Sequence, residues 1–235
     1  MKRYISLLLA ALMVWTIAGC GSKAAQADQP DMAGTVQPGV TESDAAGQVQ
    51  AGTDDTDGAQ GSVNGGVYTN EFAGIGCTLD ETWTFYTEAQ IAEINGFLTE
   101  GTSDEDMRQL MEENQSVYDM YASSTDGLMT MNVVFQNMGL LFGTTMSAQD
   151  YVELSAEQLP DAMGTYGFED VTASVTTAEF AGAECPAIAI TATVQDTPMY
   201  ELLVCMKEGN YIYCVTLCSY TEDVTAQMAA LFYTL

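Results

Sequence analysis

The run MYELLVCMKEGNYIYCVTLCSY, residues 199–220, constrains the fold more than any other stretch of the chain. Two apolar segments flank Lys207-Glu208-Gly209-Asn210, which reads as a tight turn. Both segments are apolar at odd and even positions alike, the pattern of central strands covered on two sides. One hairpin cannot cover itself, so the rest of the chain must supply a layer on each face. Just upstream, DVTASVTTAEF and CPAIAITATVQD alternate, the latter with Ile188, Ile190, Ala192 and Val194 on one side. Four consecutive strands therefore close the chain, before a last helix near Thr221 that buries Val224, Met228 and Leu231.

The middle of the chain supplies candidates for the covering layers. A strand is expected at about 68–79, followed by Trp83 and Phe85 as core anchors. Ile91, Ile94 and Leu98 share one face of a helix over 88–98, and Gly101 ends it. Ser103 then caps a second helix whose first turn carries Asp104, Glu105 and Asp106, with Met107, Leu110 and Met111 along one side. VYDMYASSTDGLMTMNVVFQ predicts a hairpin turning at Asp126-Gly127. Ser147 and Asp150 open a third helix with a capping-box pair; its stripe is Val152, Ala156, Leu159 and Met163, and Pro160 kinks or ends it. Consecutive hairpins and interspersed helices give an α+β class, a mostly antiparallel β-sheet flanked by helices.

The first residues concern address, not fold. Lys2 and Arg3 precede an almost unbroken apolar run from Tyr4 to Ala18, too short for a comfortable span and right for a signal peptide. Ile17-Ala18-Gly19-Cys20 resembles the bacterial lipoprotein lipobox. The resemblance implies a diacylglyceryl group on the Cys20 sulfur, cleavage before Cys20 and a lipid-anchored, extracytoplasmic chain in the cell envelope. The expected organisation is a signal peptide at 1–19, a lipidated cysteine and disordered tether at 20–66, and one domain at 67–235. The tether lacks aromatic residues and carries seven acids against Lys23, too little apolar surface to offset its ordering entropy. A flexible chain of that length reaches roughly 35–40 Å r.m.s..

The remaining 26 of the 33 acids lie in 67–235, where Arg108 and Lys207 are the only bases. Such a domain repels nucleic acid and anionic bilayers, which leaves the lipid as the membrane attachment. It favours a cationic protein or peptide partner, or calcium, and it keeps an exported chain soluble.

FAGIGCTLDETWTFY, residues 72–86, resembles the glycine-isoleucine-to-tryptophan opening of PsbP-like domains, a group that includes a Ran-binding nuclear transport factor. Cys77 stands where an aromatic is usual and Asp80 where proline is usual. The element order is similar over about 67–235. The resemblance implies an α-β-α sandwich around an antiparallel sheet, and a binding or accessory role with no catalytic residue carried over.

The chain contains no histidine, which removes Ser-His-Asp and Cys-His arrangements and the commonest transition-metal ligand. A Ser-Lys pair would need Lys207, which sits at the hairpin turn. Outside Cys20 there are five cysteines, Cys77, Cys185, Cys205, Cys214 and Cys218, none in a CxxC. Cys214 and Cys218 are about 13 Å apart along a strand and cannot bond to each other. The five read first as buried small apolar residues; the alternative is a Cys205–Cys214 disulfide, which needs Gly209-Asn210 to be a two-residue turn that sets the two face to face. TDDTDG at 53–58 echoes part of a calcium loop but has Thr53 at position one and Asn64 at position twelve. Met129 and Met131 share a strand face and read as core.

The sequence is thus read as a lipid-anchored extracytoplasmic binding or accessory module, not an enzyme, with no cofactor. The alternatives are a Ca²⁺- or small-ligand-binding lipoprotein and, behind it, a carboxylate-based hydrolase of wall polymers.

Overall fold

A computed structural model describes residues 60–95 and 116–235. Eleven strands and four helices run in the order β1 (Ser62–Asn64), β2 (Val67–Asn70), β3 (Ile75–Thr78), β4 (Trp83–Phe85), α1 (Glu88–Ile94), β5 (Ser116–Ser124), β6 (Met129–Asn137) and α2 (Gly139–Gly143). There follow α3 (Ala148–Thr165), β7 (Glu169–Phe180), β8 (Ala183–Val194), β9 (Thr197–Glu208), β10 (Tyr211–Ser219), α4 (Thr225–Ala229) and β11 (Phe232–Thr234). The larger sheet is antiparallel throughout, in the order β4-β5-β6-β10-β9-β8-β7; the smaller is β1-β2-β3-β11.

The doubly apolar hairpin lies at the centre, as its composition requires. All nine residues of β10 are buried. One face of β10 presents Tyr213, Val215 and Leu217, which join Val133 and Phe135 of β6, Tyr68 and Cys77 of the small sheet and Phe232 in one apolar cluster. The opposite face presents Ile212, Cys214 and Cys218 beneath α3, whose Tyr151, Val152, Ala156, Leu159 and Met163 are buried. Trp83 and Phe85 pack on the first cluster only half-buried.

This corrects the expected class. The fold is β-rich, two packed sheets with one 18-residue helix and three short ones among the described residues, not an α+β sandwich with helices on both faces of a sheet. The reason lies at the two ends of the domain. The segment expected as one strand over 68–79 folds back on itself as β2 and β3. The expected C-terminal helix lasts five residues in α4, and the chain then pairs as β11 with β3. Strands therefore cover the face where helices were anticipated. The α-β-α architecture implied by the PsbP-like resemblance falls with the same observation. β1 lies ahead of residue 67, at Ser62–Asn64. The expected helix after Ser103 lies outside the described residues.

Local signals account for the elements that formed as expected. Ser147 Oγ accepts from the Asp150 N–H at 3.1 Å, and Asp150 Oδ2 accepts from the Ser147 N–H at 2.9 Å, closing the capping box of α3. Pro160 lies within α3, which continues to Thr165. Thr87 and Gln90 make the same box on α1. In the β5–β6 turn, Asp126 Oδ1 accepts from Ser124 Oγ at 2.6 Å and from the Leu128 N–H at 3.0 Å, and Gly127 has φ +73°.

Candidate functional site

The chemistry-bearing side chains fall into three interior groups and one surface. The first interior group surrounds Asp119. The pairing of β5 with β6 slips between Tyr118 and Met120, so Asp119 is the extra residue of a β-bulge. A bulge turns the residue off its alternating face, here into the gap between the two sheets. The carboxylate, 8 % exposed, accepts from the Gly61 N–H at 2.8 and 3.0 Å, from Tyr68 Oη at 2.5 Å and from Asn70 Nδ2 at 2.9 Å. Burial raises its pKa against the lowering effect of these bonds, and it raises that of Tyr68 well above the usual value. All four contacts tie Gly61, just ahead of β1, and β2 to β5. The group is a clasp between the sheets, with no face open to a substrate.

The second group lies on the other face of the large sheet. Register places Thr130, Cys218 and Glu201 in one row across β6, β10 and β9, with Ile190 of β8 beyond. Glu201 is half-buried. Tyr118, Tyr121 and Cys218 are the titratable groups near it. Burial pushes its pKa up to about 7, so Glu201 exchanges a proton near neutrality. In the next row, Asn132 Oδ1 and Thr216 Oγ1 are buried without a hydrogen-bond partner among the described residues. Ile91 of α1 packs with Tyr118, Tyr121 and Val134 on one side of this polar strip; α3 packs on Leu203 and Cys205 on the other. Cys218 is no activated nucleophile, since burial first and the Glu201 charge second push its pKa well up. No group of three or more Cys, Asp or Glu among the described residues could hold a metal ion.

The third group is Cys205 and Cys214. Tyr211 pairs with Glu208, so Gly209-Asn210 is a two-residue turn, and the two cysteines are directly opposite each other. Gly209 has φ +54°, as the first central position of a two-residue hairpin turn needs. The two Sγ atoms are 3.3 Å apart, and all five described cysteines are thiols. Cys20, the expected lipid site, lies outside the described residues, as does the TDDTDG segment. Met131 is fully buried and Met129 packs half-buried beside it, both in the core.

The surface feature is the outer edge of β7, which has no strand on its far side among the described residues. Thr172, Ser174 and Thr176 on one face and Val175 and Thr177 on the other are exposed, with Val175 44 % accessible. From 172 to 178 this edge carries no charge, no proline and no bulge, the devices by which edge strands are usually blunted. Acids gather at its ends instead: Glu169 and Asp170 at one, Glu179 and Glu184 at the other. The alternation of DVTASVTTAEF announced a strand; its place at the edge depends on pairings made elsewhere.

No family model matches the chain, and no curated protein matches it. Among solved structures, one that aligns is LpqN of Mycobacterium tuberculosis, described as involved in cell envelope biogenesis. It shares 7 % identity at a TM-score of 0.31, over 66 % of this chain and 75 % of that one. A likeness that slight fixes neither fold nor function, and no helix among the described residues is long and apolar enough to cross a membrane.

Proposed function

We propose that this chain is a non-enzymatic module of the cell envelope, held by lipid on Cys20, that binds a protein partner along the free edge of β7. The observation that carries the reading is that edge: a long, uncharged row of main-chain donors and acceptors on a chain of net charge −28. An added strand would satisfy those groups, and main-chain bonds give affinity with little demand on sequence. Residues 172–178 span about 20 Å, enough for a partner strand of ordinary length. The acids at both ends favour a partner segment with lysine or arginine on its flanks. The tether read from the sequence gives the domain room to meet such a partner away from the bilayer.

The test is photo-crosslinking in cells from a reactive residue placed at Val175, with Glu157 on the exposed side of α3 as the control position. One envelope protein captured from 175 and not from 157, with a yield that drops in Cys20→Ala, is the expected result. The same captures from both positions, or none from 175, would overturn the reading.

A further inference from the structure

We infer that Cys205 and Cys214 form a disulfide across the two central strands, and that the thiol pair seen here is its reduced form. Directly opposite residues on antiparallel strands have Cα atoms about 4.5–5.5 Å apart, within the range a disulfide spans. The Sγ atoms, at 3.3 Å, need to close by little more than 1 Å to reach the bonded separation of about 2.05 Å. Register supplies the alignment: every pair from Tyr211↔Glu208 to Ser219↔Tyr200 is in step, so no bulge offsets the two cysteines. Each strand is also fixed from its far side, β10 by β6 and β9 by β8, which holds the cysteines opposed. Tyr151 of α3 caps the pair, its hydroxyl touching Cys214 and Ser155. Cys77 lies in the small sheet and Cys218 four residues along β10; Cys185 packs with the core cluster on the other face of the large sheet, so although it lies near Cys205 the facing partner is Cys214.

The chemistry is thiol–disulfide exchange with a small-molecule or protein disulfide. One cysteine thiolate attacks the donor disulfide and releases one donor thiol; the second cysteine then attacks the mixed disulfide and releases the other. The two cysteine sulfurs are oxidised, the donor is reduced to two thiols, and the two cysteine protons pass to them. Both cysteines are buried, and burial pushes the Cys205 pKa well above the usual thiol value. Exchange therefore takes place before the hairpin is covered by α3, during folding after export, and is slow in either direction once the domain is closed.

The test uses the whole chain and needs no variant. The protein is refolded with oxidised and reduced glutathione, or with dithiothreitol alone, then alkylated in denaturant and weighed intact. The expected result is two fewer alkyl groups in the glutathione sample, with peptide mapping that joins 205 to 214. That sample should also unfold at a higher denaturant concentration than the reduced one. Equal alkylation in the two samples, a bond to any other cysteine, or glutathione left on either sulfur would overturn the inference. None of these outcomes bears on the β7 edge, so this pairing and the proposed function stand or fall separately.

Discussion

Replacement of Glu201 by glutamine should stabilise the protein at pH 8 and do little at pH 5. The native carboxyl holds its proton to about pH 7, whereas in the unfolded chain it ionises near the ordinary value of 4.5. Between those limits the native state binds a proton that the unfolded state has lost, so stability falls as pH rises. The loss is absent below about 4.5 and complete above about 7. The full gap corresponds to at most about 3 kcal/mol. Glu201 is half-buried, so solvent screens part of this, and about 2 kcal/mol between pH 5 and pH 8 is the working figure. Tyr118, Tyr121 and Cys218 face the carboxyl and all have raised pKa values, so they do not titrate in this window. Glutamine keeps the shape and never ionises, so Glu201→Gln should lack this decline. The acidic chain also loses stability with pH through general repulsion, and Asp119, whose pKa burial raises, acts in the same direction. Both effects are common to the two proteins and cancel in their difference. Guanidinium unfolding midpoints at pH 5, 6, 7 and 8 for both proteins make the measurement. Parallel curves, with no divergence above pH 6, would show that the carboxyl is as well solvated in the native state as in the unfolded one.

Three further changes probe the frame that positions these groups. Asp119→Asn turns an acceptor of three donor groups into a partial donor, and should cost about 2–4 kcal/mol by urea denaturation. Gly61→Ala places a Cβ 2.5 Å from the Tyr68 ring and 2.8 Å from the Thr69 carbonyl oxygen, so it should loosen β1 and speed amide exchange there while the β9–β10 hairpin stays protected. Ala181 occupies the first position of the β7–β8 turn with φ +48°, a conformation glycine adopts freely. Ala181→Gly should raise the melting temperature through relief of about 1 kcal/mol of strain, and a fall would mean that the alanine methyl packs better than the strain costs.

Elements set by contacts close in sequence were legible, and those set by distant contacts were not. Gly209-Asn210, Asp126-Gly127 and the Ser147/Asp150 box act within four residues of themselves, and each produced the element expected of it. The helical spacing of Val224, Met228 and Leu231 is equally local, yet only five residues took it up. What stopped the helix is the pairing of Phe232 with Cys77, 155 residues away, and no neighbour of Phe232 in the chain announces it. Asp119 is the sharper case. Within VYDMYASS it looks like the polar residue of a half-exposed strand, but a one-residue slip against β6 turns it inward to a tyrosine, an asparagine and a glycine N–H some fifty residues upstream. Glu201 left a fainter mark that was there to read: a single acid inside MYELLVCMK, a run apolar on both faces. An acid in such a strand must either be paired or hold its proton, and the register that sets it beside Cys218 and Ile190 leaves it holding the proton. The same reasoning applies to β7. The runs of β7 and β8 both alternate, that of β8 more clearly, but among the described residues β8 lies between two strands and β7 beside one. Which of two similar strands ends a sheet depends on the order of pairing. On that order rests whether the row of amides along 172–178 is structure already satisfied or a surface still open to a partner.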